Sequence, residues 1–119
     1  MANNNYMKTN MAKLLAFFGA AMLAAAAANA TDRVWMVAGS GDWNTAANWS
    51  GNLVPGAGDN AFITNNGTYT VTVPNGVDIT VGSFTVGGAS GTQTLAIGRA
   101  NLTVNGASVV SANGRLDFL

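Results

Sequence analysis

Short runs of alternating apolar and small polar residues recur after residue 64, at 69–73, 79–81, 84–86, 95–97, 102–104 and 116–118. Successive residues of a β-strand point to opposite faces, so each run places one apolar face against a core and threonine, alanine or aspartate on the other. Asn–Gly pairs at 66–67, 75–76, 105–106 and 113–114 separate the runs and favour the positive φ angles of tight turns. The pattern predicts an all-β segment.

The spacing of these runs distinguishes between two architectures. Leu95, Leu102, Val109 and Leu116 recur every seven residues, and three such steps make a unit of about 21 residues, the size of one coil of a three-sided parallel β-helix. We therefore predict the start of a right-handed parallel β-helix, a solenoid whose inward apolar residues stack from coil to coil. The alternative is a small β-sandwich, in which turn signals usually recur every 8 to 12 residues or so.

The first thirty residues have a different pattern. A polar leader with Lys8 and Lys13 precedes an apolar run from Leu14 to Ala28, and the run ends in Ala28-Asn29-Ala30. A basic leader, an apolar stretch and an A-x-A site with small residues are typical of a helical, cleavable secretory signal peptide. The run is shorter and richer in alanine than a membrane anchor, which needs about 20 apolar residues. We predict a signal peptide at 1–30, handled by the export machinery and signal peptidase, with cleavage two residues earlier as a second option.

The composition after residue 30 excludes several function classes. This part contains three arginines and five aspartates, a formal charge of −2, and it has no Lys, Glu, His or Cys. Nucleic-acid binding needs clustered basic residues to replace phosphate counterions, so no nucleic-acid partner is expected. Without His or Cys, the commonest general base, metal ligand and thiolate nucleophile are missing. We predict no enzyme activity, no catalytic residues, no metal and no cofactor.

Three tryptophans mark the segment 31–63, which we predict to be an N-terminal cap ahead of coils at 64–119. Trp35, Trp43 and Trp49 could form a stacking platform for glycan rings, since an exposed indole face binds apolar surfaces well. The favoured interpretation is that they fill the open end of the first coil.

Two aspartates in the same segment have alternative roles. Asp42 and Asp59, with Asn44, Asn48 and Asn60, could ligate calcium, but their spacing matches neither an EF-hand nor a nonapeptide calcium repeat. Asx-turns that cap loops are the favoured interpretation. The G-x-G-x-x-A match at 56–61 is rejected as a dinucleotide site because a strand follows it instead of a helix. Asp78 and Asp117, two further acids, lie in different repeats and lack a basic partner suited to acid–base catalysis.

The Trp-rich segment carries a family resemblance. Gly41-Asp42-Trp43, Asn48-Trp49-Ser50-Gly51 and the P-x-x-G-D pattern at 55–59 precede an apolar strand that starts near Ala61. From about residue 34 to residue 86 the chain resembles the start of the β-helical passenger region of bacterial autotransporter-type surface proteins. The resemblance implies a β-helical stalk displayed or released outside the cell, often adhesive, and it brings no catalytic residues onto these positions.

These expectations combine into one functional hypothesis. The chain would be the N-terminal part of an exported bacterial cell-surface or secreted β-helical protein, structural or adhesive, located at the cell surface, in the outer membrane or outside the cell. Its expected partners are downstream repeats of the same chain, because the strand pattern reaches residue 119 without a polar cap, and an extracellular glycan or a host or matrix surface. The alternatives are the non-catalytic start of a β-helical carbohydrate-active enzyme and a small glycan-binding β domain.

Overall fold

A computed structural model describes residues 29–119, which form a parallel β-solenoid of about four turns. The predicted signal peptide lies almost wholly outside the described residues and stays a prediction. The strand pairs between successive turns are all parallel, which excludes the β-sandwich alternative, since hairpins and Greek keys are antiparallel. The prediction of an all-β solenoid is confirmed.

Ten short strands make the three faces of the solenoid. The first sheet contains β1 (Asp32–Val34), β3 (Asn60–Ile63), β6 (Ser83–Val86) and β9 (Ser108–Val110), in that order. The second sheet contains β2 (Gly41–Asp42), β4 (Tyr69–Val73), β7 (Gln93–Ile97) and β10 (Gly114–Phe118). The third sheet pairs β5 (Ile79–Val81) with β8 (Leu102–Val104). Two short 3-10 turns, Ala46–Asn48 and Ser50–Asn52, lie in the first turn of the solenoid.

The seven-residue step of the sequence corresponds to one face of the solenoid. Leu102, Val109 and Leu116 lie on the third, first and second sheets in succession. Leu116 then pairs with Leu95, 21 residues before it, as the repeat predicts. Earlier turns are longer: Gln93 pairs with Tyr69 across 24 residues, and Asn60 pairs with Asp32 across 28. The first turn is longest because it also holds the Trp-rich loop.

Stacked apolar ladders fill the interior. Val71 pairs with Leu95, Val73 with Ile97 and Ile63 with Val86, and all six side chains are fully buried. Threonine and other polar residues occupy the alternate positions, which face outward. The core is thus built by repetition along the solenoid axis, and each turn buries its apolar residues against the turns on either side.

The Asn–Gly pairs divide into two kinds. Gly67 and Gly76 have positive φ angles, as the turn pattern predicts. The expectation is wrong for Gly106 and Gly114, which lack the positive φ. There glycine is required by the approach of neighbouring turns: a Cβ on Gly106 would lie 2.7 Å from the carbonyl oxygen of Gly82, and one on Gly114 would lie 2.7 Å from the carbonyl carbon of Val86.

Candidate functional site

The three tryptophans form one buried cluster in the first turn. Trp35 and Trp43 are 0% exposed and Trp49 is 1% exposed. Trp49 packs edge-on against both others, with ring centroids 5.2 Å from Trp35 and 4.7 Å from Trp43, and its indole N–H donates to the Trp43 carbonyl at 2.7 Å. No indole face is open to a sugar ring in this conformation. The burial of the three rings therefore supports a packing role and does not support a glycan platform. The cluster is a core for the first turn.

Asp42 and Asp59 both cap loops, as favoured from the sequence. The Asp42 carboxylate accepts a hydrogen bond from the Asn44 backbone N–H at 2.7 Å, which is an Asx-turn. The Asp59 carboxylate accepts one from the Gly56 N–H at 2.8 Å and lies 3.7 Å from the Arg33 guanidinium. Asn48 and Asn60 donate their side-chain amides elsewhere, to the Asp42 carbonyl and the Asp32 carboxylate. In residues 29–119 there is no group of three or more His, Cys, Asp or Glu side chains that could hold a metal ion.

The other two candidate acids lie apart from each other. Asp78 precedes β5 and accepts hydrogen bonds from the backbone N–H and side-chain amide of Asn101 in the next turn, at 2.8 and 3.1 Å. Asp117 lies on β10 and pairs with Arg115 at 2.6 Å. They do not form an acid–base pair, and their contacts are those of corner and surface groups.

Asp78 should make the stability of the contact between the segments that precede β5 and β8 depend on pH. The Asn101 backbone N–H, and then its side-chain amide, lower the pKa of Asp78 below its ordinary value. A depressed folded-state pKa contributes stability that is present above the unfolded pKa, near 3.9 or so, and is lost as the pH falls through the folded value. NMR titration of the Asp78 carboxyl carbon should show a midpoint below that of Asp78 in the unfolded chain. Replacing Asn101 by alanine removes the side-chain amide and should move the midpoint up. An unchanged midpoint would show that this amide does not lower the pKa of Asp78.

Gln93 is a buried polar residue that sequence reasoning missed. It is fully buried at the start of β7. Its side-chain amide donates to the carbonyls of Gly67 and Ser90 at 2.5 and 2.9 Å and accepts from the Gly88 N–H at 2.6 Å. One side chain therefore satisfies three backbone groups, joining the loop before β7 to the turn below it.

We expect Gln93→Leu to destabilise the fold by about 2–4 kcal/mol, because the leucine keeps much of the volume but leaves buried backbone groups unpaired. Urea denaturation followed by circular dichroism measures the loss. Thr94→Leu, a change at the next residue on the outer face, is the control and should alter the free energy of unfolding by less than about 0.5 kcal/mol. Equal effects of the two substitutions would show that the hydrogen bonds of Gln93 contribute nothing specific.

The described part of the chain offers no concave site. No pocket forms among residues 29–119, and within the same range no helix is long and apolar enough to cross a membrane. The last strands of the three sheets, β8, β9 and β10, form one end of the described solenoid, called here the open end. These three strands come last in their sheets, so each presents an edge without a neighbouring strand among the described residues.

Apolar side chains are exposed at the open end. Phe118 is 69% exposed and Val110 is 46% exposed, although their partners one turn back, Ile97 and Val86, are fully buried. Val109 and Leu119 are exposed as well. The last turn thus continues the inward ladders of the core, and these side chains are exposed among the described residues.

Comparison with known proteins adds no relative to this picture. No protein-family model matches the chain, and searches of curated proteins and of solved structures found no match.

Proposed function

We propose that the chain is the N-terminal part of an exported bacterial β-helical protein of the cell surface or the extracellular space, with a structural or adhesive role and no catalytic activity. The observation that carries this proposal is the parallel solenoid itself, whose turns repeat along one axis and bury their apolar residues against one another. Stacked repeats of this kind provide an extended scaffold or binding surface.

The side surfaces of the solenoid support a structural role. The outer positions carry threonines in register from turn to turn, Thr70 beside Thr94 and Thr80 beside Thr103. Side-chain hydrogen bonds also link successive turns at the corners, as between Asn60 and Asp32 and between Ser83 and Asn60. The outward positions are mostly polar and no pocket forms among residues 29–119, so these faces suit a stalk or a lateral adhesion surface better than a cleft for chemistry.

The predicted signal peptide supports the location in this proposal. The basic leader, the apolar run and Ala28-Asn29-Ala30 favour removal of residues 1–30. The exported part can form no disulfide, because the chain has no cysteine. The stacked core and the corner hydrogen bonds hold the turns together instead.

Expression of the full chain in a bacterium, followed by fractionation and N-terminal sequencing, tests the proposal. We expect a product outside the cytoplasm that begins at Thr31. The double substitution Ala28→Lys and Ala30→Lys should block this cleavage, because signal peptidase needs small residues at both positions. Full-length chain retained in the cytoplasm would overturn the proposal.

A further inference from the structure

The Asn–Gly pair at 66–67 holds one residue of the next turn by two hydrogen bonds. The Gly67 backbone N–H donates to the Ser90 carbonyl at 3.2 Å. The Ser90 backbone N–H in turn donates to the side-chain oxygen of Asn66, also at 3.2 Å. The asparagine side chain thus takes the place of a backbone carbonyl as acceptor, and the corner is joined to the next turn much as two paired strands are joined.

The pair at 75–76 has the same arrangement. The Gly76 N–H donates to the Arg99 carbonyl, and the Arg99 N–H donates to the side-chain oxygen of Asn75, both at 2.8 Å. In each pair the residue that is held lies 24 positions after the asparagine, which is one turn of the solenoid. Each such arrangement of two hydrogen bonds is called here an Asn–Gly clamp.

An Asn–Gly pair also carries a reaction of its own. Asparagine is a thermolabile residue, and glycine has no Cβ to hinder attack by its backbone nitrogen. In this reaction hydroxide takes the proton of the glycine N–H, and the nitrogen forms a bond to the asparagine Cγ. The bond from Cγ to Nδ2 breaks, and ammonia leaves with a proton from water. Water then opens the resulting cyclic imide at either carbonyl, which gives aspartate or isoaspartate.

The clamps act on the nucleophile of this reaction. Asn66 and Asn75 are both exposed, so hydroxide and water reach them and solvent exclusion gives no protection. A hydrogen bond to the side-chain oxygen alone would polarise its carbonyl and favour attack. The glycine N–H bond therefore decides the outcome, because the nitrogen can attack only after its N–H has left the carbonyl of the next turn.

We infer that Asn66 and Asn75 are latent modification sites, which stay asparagine while the next turn is stacked on them and convert to aspartate or isoaspartate when that contact opens. Local openings of a folded protein differ in free energy from region to region, so each site reports the opening of its own corner. Isoaspartate adds one carbon to the main chain, which displaces the glycine N–H from its acceptor. The inference does not depend on the proposed function, and both clamps join turns within residues 29–119.

Incubation of the purified full chain at mildly alkaline pH, followed by peptide mapping with mass spectrometry, tests the inference at each site. The reference rates come from synthetic peptides of residues 63–71 and 72–80 in the same buffer. We expect conversion in the folded chain to be slower by about tenfold or more, since an opening that costs about 1.4 kcal/mol already reduces the reactive fraction tenfold. Denaturant should restore the peptide rates, and equal rates in the folded chain and the peptides would overturn the inference.

Two substitutions should open one clamp each. A Cβ on Gly98 would lie 2.5 Å from the side-chain oxygen of Asn75, whereas a Cβ on Gly91 would collide with the backbone of Gly67. Gly98→Ala should therefore speed conversion at Asn75 several-fold and leave Asn66 unchanged. Gly91→Ala should do the reverse, so each variant is the control for the other.

Circular dichroism of both variants checks that the fold is retained. Equal acceleration at both sites in a folded variant would assign the protection to overall stability and overturn the inference, as would rates that neither variant changes. If a variant does not fold, hydrogen exchange of the unsubstituted chain decides the question. The Gly67 and Gly76 amides should exchange more slowly than in the two peptides, and unprotected amides would contradict the clamps.

Discussion

The Trp49→Ala variant should lose about 3–5 kcal/mol of its free energy of unfolding, as expected when a buried tryptophan is truncated to alanine. Trp49 is the central ring of the cluster, in edge-on contact with Trp35 and Trp43. The substitution leaves a large cavity and also removes the donor to the Trp43 carbonyl. Because the first turn has few other buried side chains, we expect its loss of structure to expose the edge of β3 and β4.

Urea denaturation followed by far-ultraviolet circular dichroism measures this effect without depending on tryptophan fluorescence. Leu53→Ala is the matched control, since Leu53 lies four residues away in sequence but is 55% exposed. The control should change the free energy of unfolding by less than about 0.5 kcal/mol. If Trp49→Ala were as mild as Leu53→Ala, the indoles would not be a core, and a surface role for them would have to be considered again.

A second large effect is expected from Gly91→Ala. Gly91 has a φ of 77°, in the left-handed region, and a Cβ there would meet the backbone of Gly67 in the preceding turn, with the Gly67 Cα at 2.9 Å. The left-handed conformation costs an alanine about 1–2 kcal/mol. The collision with backbone adds to this cost because the two turns must move apart, and overpacking of this kind typically costs about 1–3 kcal/mol more.

Gly76→Ala separates these two contributions. Gly76 has nearly the same φ, 75°, but a Cβ there meets nothing within 4 Å. It should therefore show only the cost of the left-handed conformation, about 1–2 kcal/mol, and Gly91→Ala should be clearly more destabilising in the same urea titration. Equal losses would mean that successive turns do not approach each other as closely as the structure places them.

The repeating part of the fold could be predicted from the sequence because each strand repeats the same alternation of apolar and polar residues at a regular step. Strands at 69–73 and 79–81 alternate strictly, and the step from Leu95 to Leu116 gives the length of the last turn directly. β1 and β2 were not predicted, since Asp32–Val34 and Gly41–Asp42 have no alternation. They are strands because β3 and β4 offer edges to pair with, which is tertiary information.

The candidate site was less accessible from the sequence. Gln93, between two threonines, resembles an ordinary surface residue, and only the loops around it show that its amide is buried. The tryptophans were predicted better, because large apolar rings are favoured in a core.

The stacking register of the turns is the claim on which the rest of the account depends, and an engineered cysteine pair tests it most directly. The chain has no cysteine of its own. Thr70 and Thr94 are register partners on the outer face of the second sheet, and neighbouring strands place such Cα atoms about 4.8 Å apart, within the range that a disulfide bridges. Thr72 and Thr94 are offset by two residues, about 8 Å apart, which is too far.

Under mild oxidation, the Thr70→Cys, Thr94→Cys variant should form an intramolecular disulfide readily, detected by mass spectrometry and by a mobility shift that reduction reverses. The Thr72→Cys, Thr94→Cys variant should remain reduced under the same conditions. This is the result that a parallel solenoid with a 24-residue turn predicts. A disulfide in the offset pair, or none in either pair, would contradict the register and with it the architecture of the open end.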